Sequence, residues 1–377
     1  MPKKSFLSNY AELKLNVVIM RCFRYILVLT KRLLVNTHYF LLPISFVLLV
    51  AGCASDPVIQ GSYPVQNNQQ TVITAPTYPT QQNQMPTQPF PQRPSNVFTG
   101  SVVTGDYANH QNVNDFIQHM VRTHGFSEDY LVDLFSQAQS LDYVIRLESP
   151  APSPSSTRPA PGSWTKYRKQ FLTDAHINKG VAFWHENATA IEKASQTYGV
   201  DPEYIVGIIG VETFFGGNFG KTRIFDALST LAFDTHRRAE YFTQELENFL
   251  LMTKEEGYNP LQPKGSWAGA MGYGQFMPSS FRKLAVDFDN DGHRDLWRPT
   301  DAVGSVANYF SKNGWQYHAP VTQPASSGES DVIELGVIGG SEYWRVYPNF
   351  QVIKKYNNSN KYAMAVHQLA QAIKARY

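Results

Sequence analysis

Residues 201–220 read DPEYIVGIIGVETFFGGNFG. Asp201 is an N-cap candidate, and Pro202 suits the first position of a helix. The helix then runs through seven residues, Ile205-Val206-Gly207-Ile208-Ile209-Gly210-Val211, without a polar side chain. Such a run leaves no wide polar face, so the segment reads as a buried helix. Glu212 follows directly, and a glutamate is almost never fully buried without a partner. Burial disfavours the charged form, so its pKa is expected to rise. A carboxyl kept protonated near neutral pH is what protonation of a glycosidic oxygen requires. Gly216-Gly217 would end the helix and let a polymer approach the backbone. Periodicity alone leaves a second reading open, in which Glu212 lies on the polar face of an amphipathic helix.

Working outward, helical patterns cover 113–125, 127–139, 164–172, 177–198, 202–214, 236–256, 279–286, 300–313 and 362–376. Ser127 is the N-cap candidate of the second, with acids in its first turn. Strand signals are confined to 331–338 and 344–346, residues 150–161 (PAPSPSSTRPAP) read as a loop, and no internal repeat is present. The fold class is mainly α with a minor β element.

The 377 residues carry 33 Lys/Arg and 31 Asp/Glu, a net charge of +2 that gives no sign of a nucleic-acid partner. Seven of the basic residues and one acid precede residue 53, so the remainder holds 26 basic against 30 acidic residues. A basic front on a mildly acidic protein has the form of a targeting segment. Residues 40–51 read FLLPISFVLLVA, the length of a signal-peptide apolar region and short for a membrane span of about 20 residues. The run ends in Ala51-Gly52-Cys53, which resembles a bacterial lipobox. The expectation is a signal peptide over 1–52 with lipid on Cys53. Ala54 and Ser55 follow Cys53, and Asp56 comes two positions too late for the inner-membrane retention signal. The outer membrane, facing the periplasm, is therefore the expected location. Cys22 is the only other cysteine, so no disulfide framework supports the globular part. Residues 53–111 are dense in Gln, Pro, Asn and Thr and read as a tether. The globular domain is expected over 112–377.

Residues 287–301 read DFDNDGHRDLWRPTD. Asp287, Asp289 and Asp291 occupy positions 1, 3 and 5 of an EF-hand-like loop, Gly292 position 6, and His293 position 7, where a backbone carbonyl would bind. Hard oxygen ligands point to Ca²⁺ in a structural role. Position 12, however, is Arg298 rather than Glu. An acidic turn without metal is the competing reading.

The block GIIGVETFFGGNFGKTRIFDALSTLAFD, with GAMGYGQFMPSSF at 269–281, resembles the membrane-bound lytic murein transglycosylase B family. The resemblance covers about 164–377 and implies a lysozyme-like catalytic core in which Glu212 is the acid/base. It implies cleavage of the bond between N-acetylmuramic acid and N-acetylglucosamine in peptidoglycan, with attack by the muramoyl 6-hydroxyl giving a 1,6-anhydro end. One carboxyl suffices because the nucleophile belongs to the substrate. Tyr167, Ser266, Gln275, Tyr309, Tyr356, Asn357 and Tyr362 align with the family's substrate groove. Arg237 and Arg238 stand at a helix start, where the dipole disfavours cations. The family has an arginine pair there, and substrate carboxylates would explain it. The family's calcium loop is longer, so Asp301 would close it. Partners implied are glycan strands and the outer membrane, with room for other cell-wall enzymes. Two alternatives stand. A muramidase would need a second carboxylate, for which Asp226 and Asp234 are candidates. A noncatalytic peptidoglycan-binding lipoprotein would gain nothing from a protonated carboxyl.

Overall fold

Ser127 caps a helix as its sequence implies. In the computed structural model, which describes residues 102–149 and 158–377, its hydroxyl accepts from the Tyr130 amide at 3.4 Å. That helix, α2 (Glu128–Ser136), joins α1 (Gln111–His124) and α3 (Asp142–Glu148) in an N-terminal layer. The layer begins earlier than the expected boundary at 112. Val103 is 2% exposed and Tyr107 fully buried, and Tyr107 Oη donates to Asp234 at 3.1 Å. Residues 103–111, assigned to the tether from composition, thus contribute to the core. The apolar run at 40–51, Cys53 and the rest of the tether lie outside the described residues.

Beyond the 150–157 segment come α4 (Ser163–Arg168), α5 (Asp174–Glu186) and α6 (Ala188–Tyr198). The single helix expected over 177–198 is two helices. They break at Asn187, whose side chain folds back to donate to the Phe183 carbonyl at 2.9 Å. Helix α7 (Pro202–Thr213) follows, with Ile205, Val206, Ile208 and Ile209 fully buried. Asp201 occupies the N-cap position but caps nothing. Its carboxylate accepts instead from Trp315 Nε1 at 2.9 Å and from the His318 amide at 3.2 Å.

The next elements are β1 (Thr222–Arg223), α8 (Ile224–Phe233), α9 (Ala239–Glu256), β2 (Lys264–Gly265), α10 (Pro278–Leu284) and α11 (Pro299–Lys312). Strands β3 (Thr322–Pro324), β4 (Val332–Val337) and β5 (Gly340–Val346) precede α12 (Pro348–Tyr356) and α13 (Asn360–Lys374). Strands β1 and β2 pair antiparallel, and a second antiparallel sheet has the order β3-β5-β4. The chain is therefore mainly α with a minor β element, as expected. Among the described residues no helix is long and apolar enough to cross a membrane.

Helix α7 is the hub, packed on α5, α6, α11 and α13. Its two glycines permit that packing. A Cβ on Gly207 would lie 3.0 Å from Ala370 Cβ, and one on Gly210 would lie 2.5 Å from Phe215 Cζ. The smooth apolar run thus buys closeness to α13, which brings the end of α7 against the start of α13.

Candidate active site

Helix α7 ends just after Glu212, and the way it ends shapes the site. The left-handed residues there are not the glycines alone. Phe214 (φ 53°) and Phe215 (φ 54°) take this conformation before Gly216 (φ 74°). Each phenylalanine costs about 1–2 kcal/mol in that region, a cost set against tight packing. Phe215 is 5% exposed and fills the notch left by Gly180 and Gly210. Thr213 Oγ1 accepts from the Gly216 amide and lies near the Tyr273 carbonyl, both at 3.1 Å. A Cβ on Gly216 would strike the Tyr273 ring at 2.5 Å. Thr213 and Tyr273 therefore pin the turn that carries Glu212. Neither carries a signal in the sequence that would have singled it out.

Glu212 is half-buried. Tyr362, 3% exposed at the start of α13, donates its hydroxyl to Glu212 Oε1. The second oxygen has no hydrogen-bond partner among the described residues. Burial pushes the carboxyl up to about 7, and the Tyr362 hydrogen bond offsets part of that rise. Tyr167, at the end of α4, is near enough that burial and the Glu212 charge both raise its pKa. Lys361 Nζ lies 5.9 Å from the Tyr167 ring centre. Burial and the Glu212 charge also raise the hydroxyl of Tyr356.

Around this centre the groove residues fall into two kinds. Tyr356 Oη donates to the Gly274 carbonyl at 2.5 Å and its ring packs on Tyr309, with centroids 4.6 Å apart. Gln275 (φ 50°) donates to the Gly272 carbonyl at 3.0 Å and the Phe219 carbonyl at 3.3 Å. Ser266 Oγ accepts from the Ala270 amide at 2.9 Å and the Ala268 amide at 3.3 Å. Ser266 and Gln275 therefore shape the glycine-rich turn, whereas Tyr167, Tyr356 and Tyr362 converge on Glu212. Asn357 follows Tyr356, is exposed, and makes no side-chain hydrogen bond among the described residues. A cavity of 1060 Å³ adjoins the start of α13, with Ser359, Asn360 and Lys361 in its wall.

The arginine pair has a partner inside the protein. Arg237 approaches Glu148 Oε1 at 2.9 Å, and Arg238 forks onto both oxygens, with Nε at 2.9 Å from Oε1 and Nη2 at 2.5 Å from Oε2. Glu148 is 2% exposed, and the hydrogen bond from Arg238 holds its carboxyl below the usual range despite burial. The cations at the start of α9 thus answer a buried acid at the end of α3. The inference from their misplacement to a substrate carboxylate loses its premise.

Both candidate second carboxylates are engaged elsewhere. Asp226 accepts from Arg223 Nε at 2.7 Å, Arg223 Nη2 at 2.6 Å and the Gln139 amide at 3.1 Å. Asp234 accepts from Tyr107 at 3.1 Å and Ser140 at 2.7 Å. They tie the N-terminal layer to α8.

In the 287–301 loop, oxygens of Asp287, Asp289 and Asp301 lie within 4.8 Å of one another. Asp301 is 1% exposed, and burial raises its carboxyl to about 6. Asp291 stands apart from this group and meets Arg298 at 2.8 Å. His293 is exposed, with Nδ1 4.0 Å from Glu256. Carboxylates gathered in this way form an oxygen-only donor set, which fits a hard cation such as Ca²⁺.

A half-buried carboxyl with a raised pKa, held by Tyr362 and flanked by Tyr167 and Tyr356, defines the site as that of a glycan-cleaving enzyme of the lysozyme-like kind. The family model described as "Transglycosylase SLT domain" matches residues 108–371. The chain belongs to that family of lytic transglycosylases. It is 47% identical to the membrane-bound lytic murein transglycosylase B of Escherichia coli (strain K12), an alignment spanning 71% of this chain and 84% of the relative. The structure of the E. coli lytic transglycosylase SLT35 in complex with bulgecin A is similar at 45% identity and a TM-score of 0.68. That match covers 73% of this chain and 96% of the other. The same enzyme in complex with calcium matches at 44% identity and a TM-score of 0.68, over 73% of this chain and 96% of that one.

Proposed function

We propose that this lytic transglycosylase cleaves the β-1,4 bond between N-acetylmuramic acid and N-acetylglucosamine in peptidoglycan, with Glu212 as its one acid/base. The observation that carries this reading is the state of Glu212. It is held on one oxygen by Tyr362, left open on the other, and raised to about 7 by burial. A carboxyl in that state is substantially protonated at neutral pH and gives its proton to the glycosidic oxygen as the bond breaks. The resulting carboxylate takes the proton of the muramoyl 6-hydroxyl, whose oxygen closes on the anomeric carbon. The proton balance is restored and no water enters. The nucleophile is part of the same sugar, so its position is already paid for in binding.

Tyr167, Tyr309 and Tyr356 would offer aromatic surface to the sugar rings and Asn357 its amide, while Tyr362 would act through its hydrogen bond to Glu212. Ser266 and Gln275 hold the turn against which the strand lies. Turnover of the cell wall is the process this activity serves. A muramidase reaction is disfavoured because Asp226 and Asp234 are each committed to the N-terminal layer. Digestion of purified sacculi followed by mass measurement of the fragments tests the reading. The expected ends are 1,6-anhydromuramic, lighter than reducing ends by one water; reducing ends would overturn it.

Calcium would be held by Asp287, Asp289 and Asp301, with Asp291 and the His293 carbonyl completing the loop, and its role would be structural. The protein would reside on the periplasmic face of the outer membrane through lipid on Cys53, a reading supported by the lipobox-like run and by the membrane-bound name of the E. coli relative. Cys53→Ser should release the protein from outer-membrane fractions or leave it unprocessed; unchanged membrane retention would argue for a different anchor.

A further inference from the structure

On the N-terminal layer, α1 and α9 bring two imidazoles and a carboxylate together. His119 Nε2 lies 3.2 Å from Glu247 Oε2, and His124 Nε2 lies 2.7 Å from Glu247 Oε1. Ligand atoms from all three residues lie within 4.8 Å of one another. We propose that His119, His124 and Glu247 form a site for one divalent transition-metal ion, zinc fitting best.

The donor set separates this site from the acidic loop. Two nitrogens and one carboxylate suit a borderline ion such as Zn²⁺, whereas an oxygen-only set suits Ca²⁺. Ligand atoms around a tetrahedral zinc with bonds of about 2.0–2.1 Å stand roughly 3.4 Å apart. The 3.2 Å pair already has that spacing, and the 2.7 Å pair needs only a small opening. The other ring nitrogen of His119 lies 3.3 Å from Thr123 Oγ1. A proton held on that nitrogen leaves the Nε2 lone pair for the metal, the arrangement outer contacts enforce at metal-bound histidines. No lysine or arginine forms an ion pair with Glu247 among the described residues, so its charge is available to the ion. The side chains of His119, His124 and Glu247 are 45%, 22% and 26% exposed. That exposure gives the ion an entry path and leaves a fourth position for water. Bound there, the metal would cross-link the end of α1 to the middle of α9.

The test is calorimetric titration of Zn²⁺ into the full, untagged protein already saturated with Ca²⁺. One equivalent should bind, and Co²⁺ in its place should show the visible absorption of a tetrahedral ion. His119→Gln and Glu247→Gln, measured separately, should each weaken zinc by more than tenfold. Thr123→Val should weaken it by about 10- to 100-fold, the range for outer-shell contacts. Each variant should keep the wild-type melting temperature without zinc, so that lost binding cannot be lost folding. Absence of a saturable zinc site in the wild type would overturn the proposal. So would wild-type zinc affinity in the two ligand variants.

Discussion

Glu212→Gln separates the chemistry of the carboxyl from its burial. The amide keeps the size of the side chain and accepts the Tyr362 hydrogen bond, but it cannot ionise. In the wild type the carboxyl moves from its ordinary 4.5 to about 7 on folding. At roughly 1.4 kcal/mol per pH unit, the ionised form is disfavoured in the folded state by about 3 kcal/mol. Because the folded pKa is the higher one, the stability linked to this group is fully present below about pH 4.5. It is lost as pH rises through about 7. The variant has no such loss. Urea unfolding of both proteins at steps from pH 4 to pH 8 should give a stability difference that grows in the variant's favour by about 3 kcal/mol and levels off above pH 7. All other carboxylates titrate alike in the two proteins and cancel in the difference. Over the same range, activity on sacculi should fall by at least about 10²-fold, with glycan binding retained. A stability difference that stays flat with pH would refute the raised carboxyl. Near-full activity of the variant would refute its role.

Tyr362→Phe removes the hydrogen bond that lowers the Glu212 pKa, so the alkaline limb of kcat/KM should move to higher pH; a limb that stays put or moves down would contradict this. Gly210→Ala should destabilise by about 1–3 kcal/mol through crowding against Phe215, although Gly→Ala in an open helix gains about 1 kcal/mol; chemical denaturation decides the sign. Ca²⁺ should raise the wild-type melting temperature relative to chelator. Asp289→Ala should abolish most of that rise without lowering the melting temperature in chelator, since one repelling carboxylate is gone; an equal response in both proteins would exclude the loop as the calcium site.

Helix α7 was legible because its entry signals and apolar run are local. Glu212 was legible as an anomaly within that run, although its partner Tyr362 lies 150 residues away and only family resemblance joined the two. The break at Asn187 was not legible, because apolar periodicity continues through both halves and the cause is one side chain turning back on the chain. Helix α8, with every residue from Ile224 to Ala232 buried, has no polar face to set a period. Helix α12 and strand β3 are short, and β3 exists only by pairing with β5. The arginine pair was rightly marked as out of place. Its explanation, Glu148, stands about 90 residues earlier in the chain, and nothing local to either segment announces it. The same distance problem hid the commitment of Asp234, whose partners Tyr107 and Ser140 lie in the N-terminal layer, whereas Asp226 has its ion-pair partner Arg223 only three residues away.

The position of Glu212 within α7 has an electrical consequence. It occupies the last turn of a twelve-residue helix, where aligned peptide dipoles present their negative end. A carboxylate there is opposed by the backbone itself, by about 0.3–1 kcal/mol. That field adds to the effect of burial on the same carboxyl. It favours the protonated acid while the enzyme waits for a strand. Once the proton has gone to the leaving sugar, the same field makes the bare carboxylate a more avid base. A fixed dipole therefore keeps the acid loaded and favours the second half of the proposed cycle, the return of the proton as the anhydro ring closes, at the cost of a correspondingly weaker acid in the first.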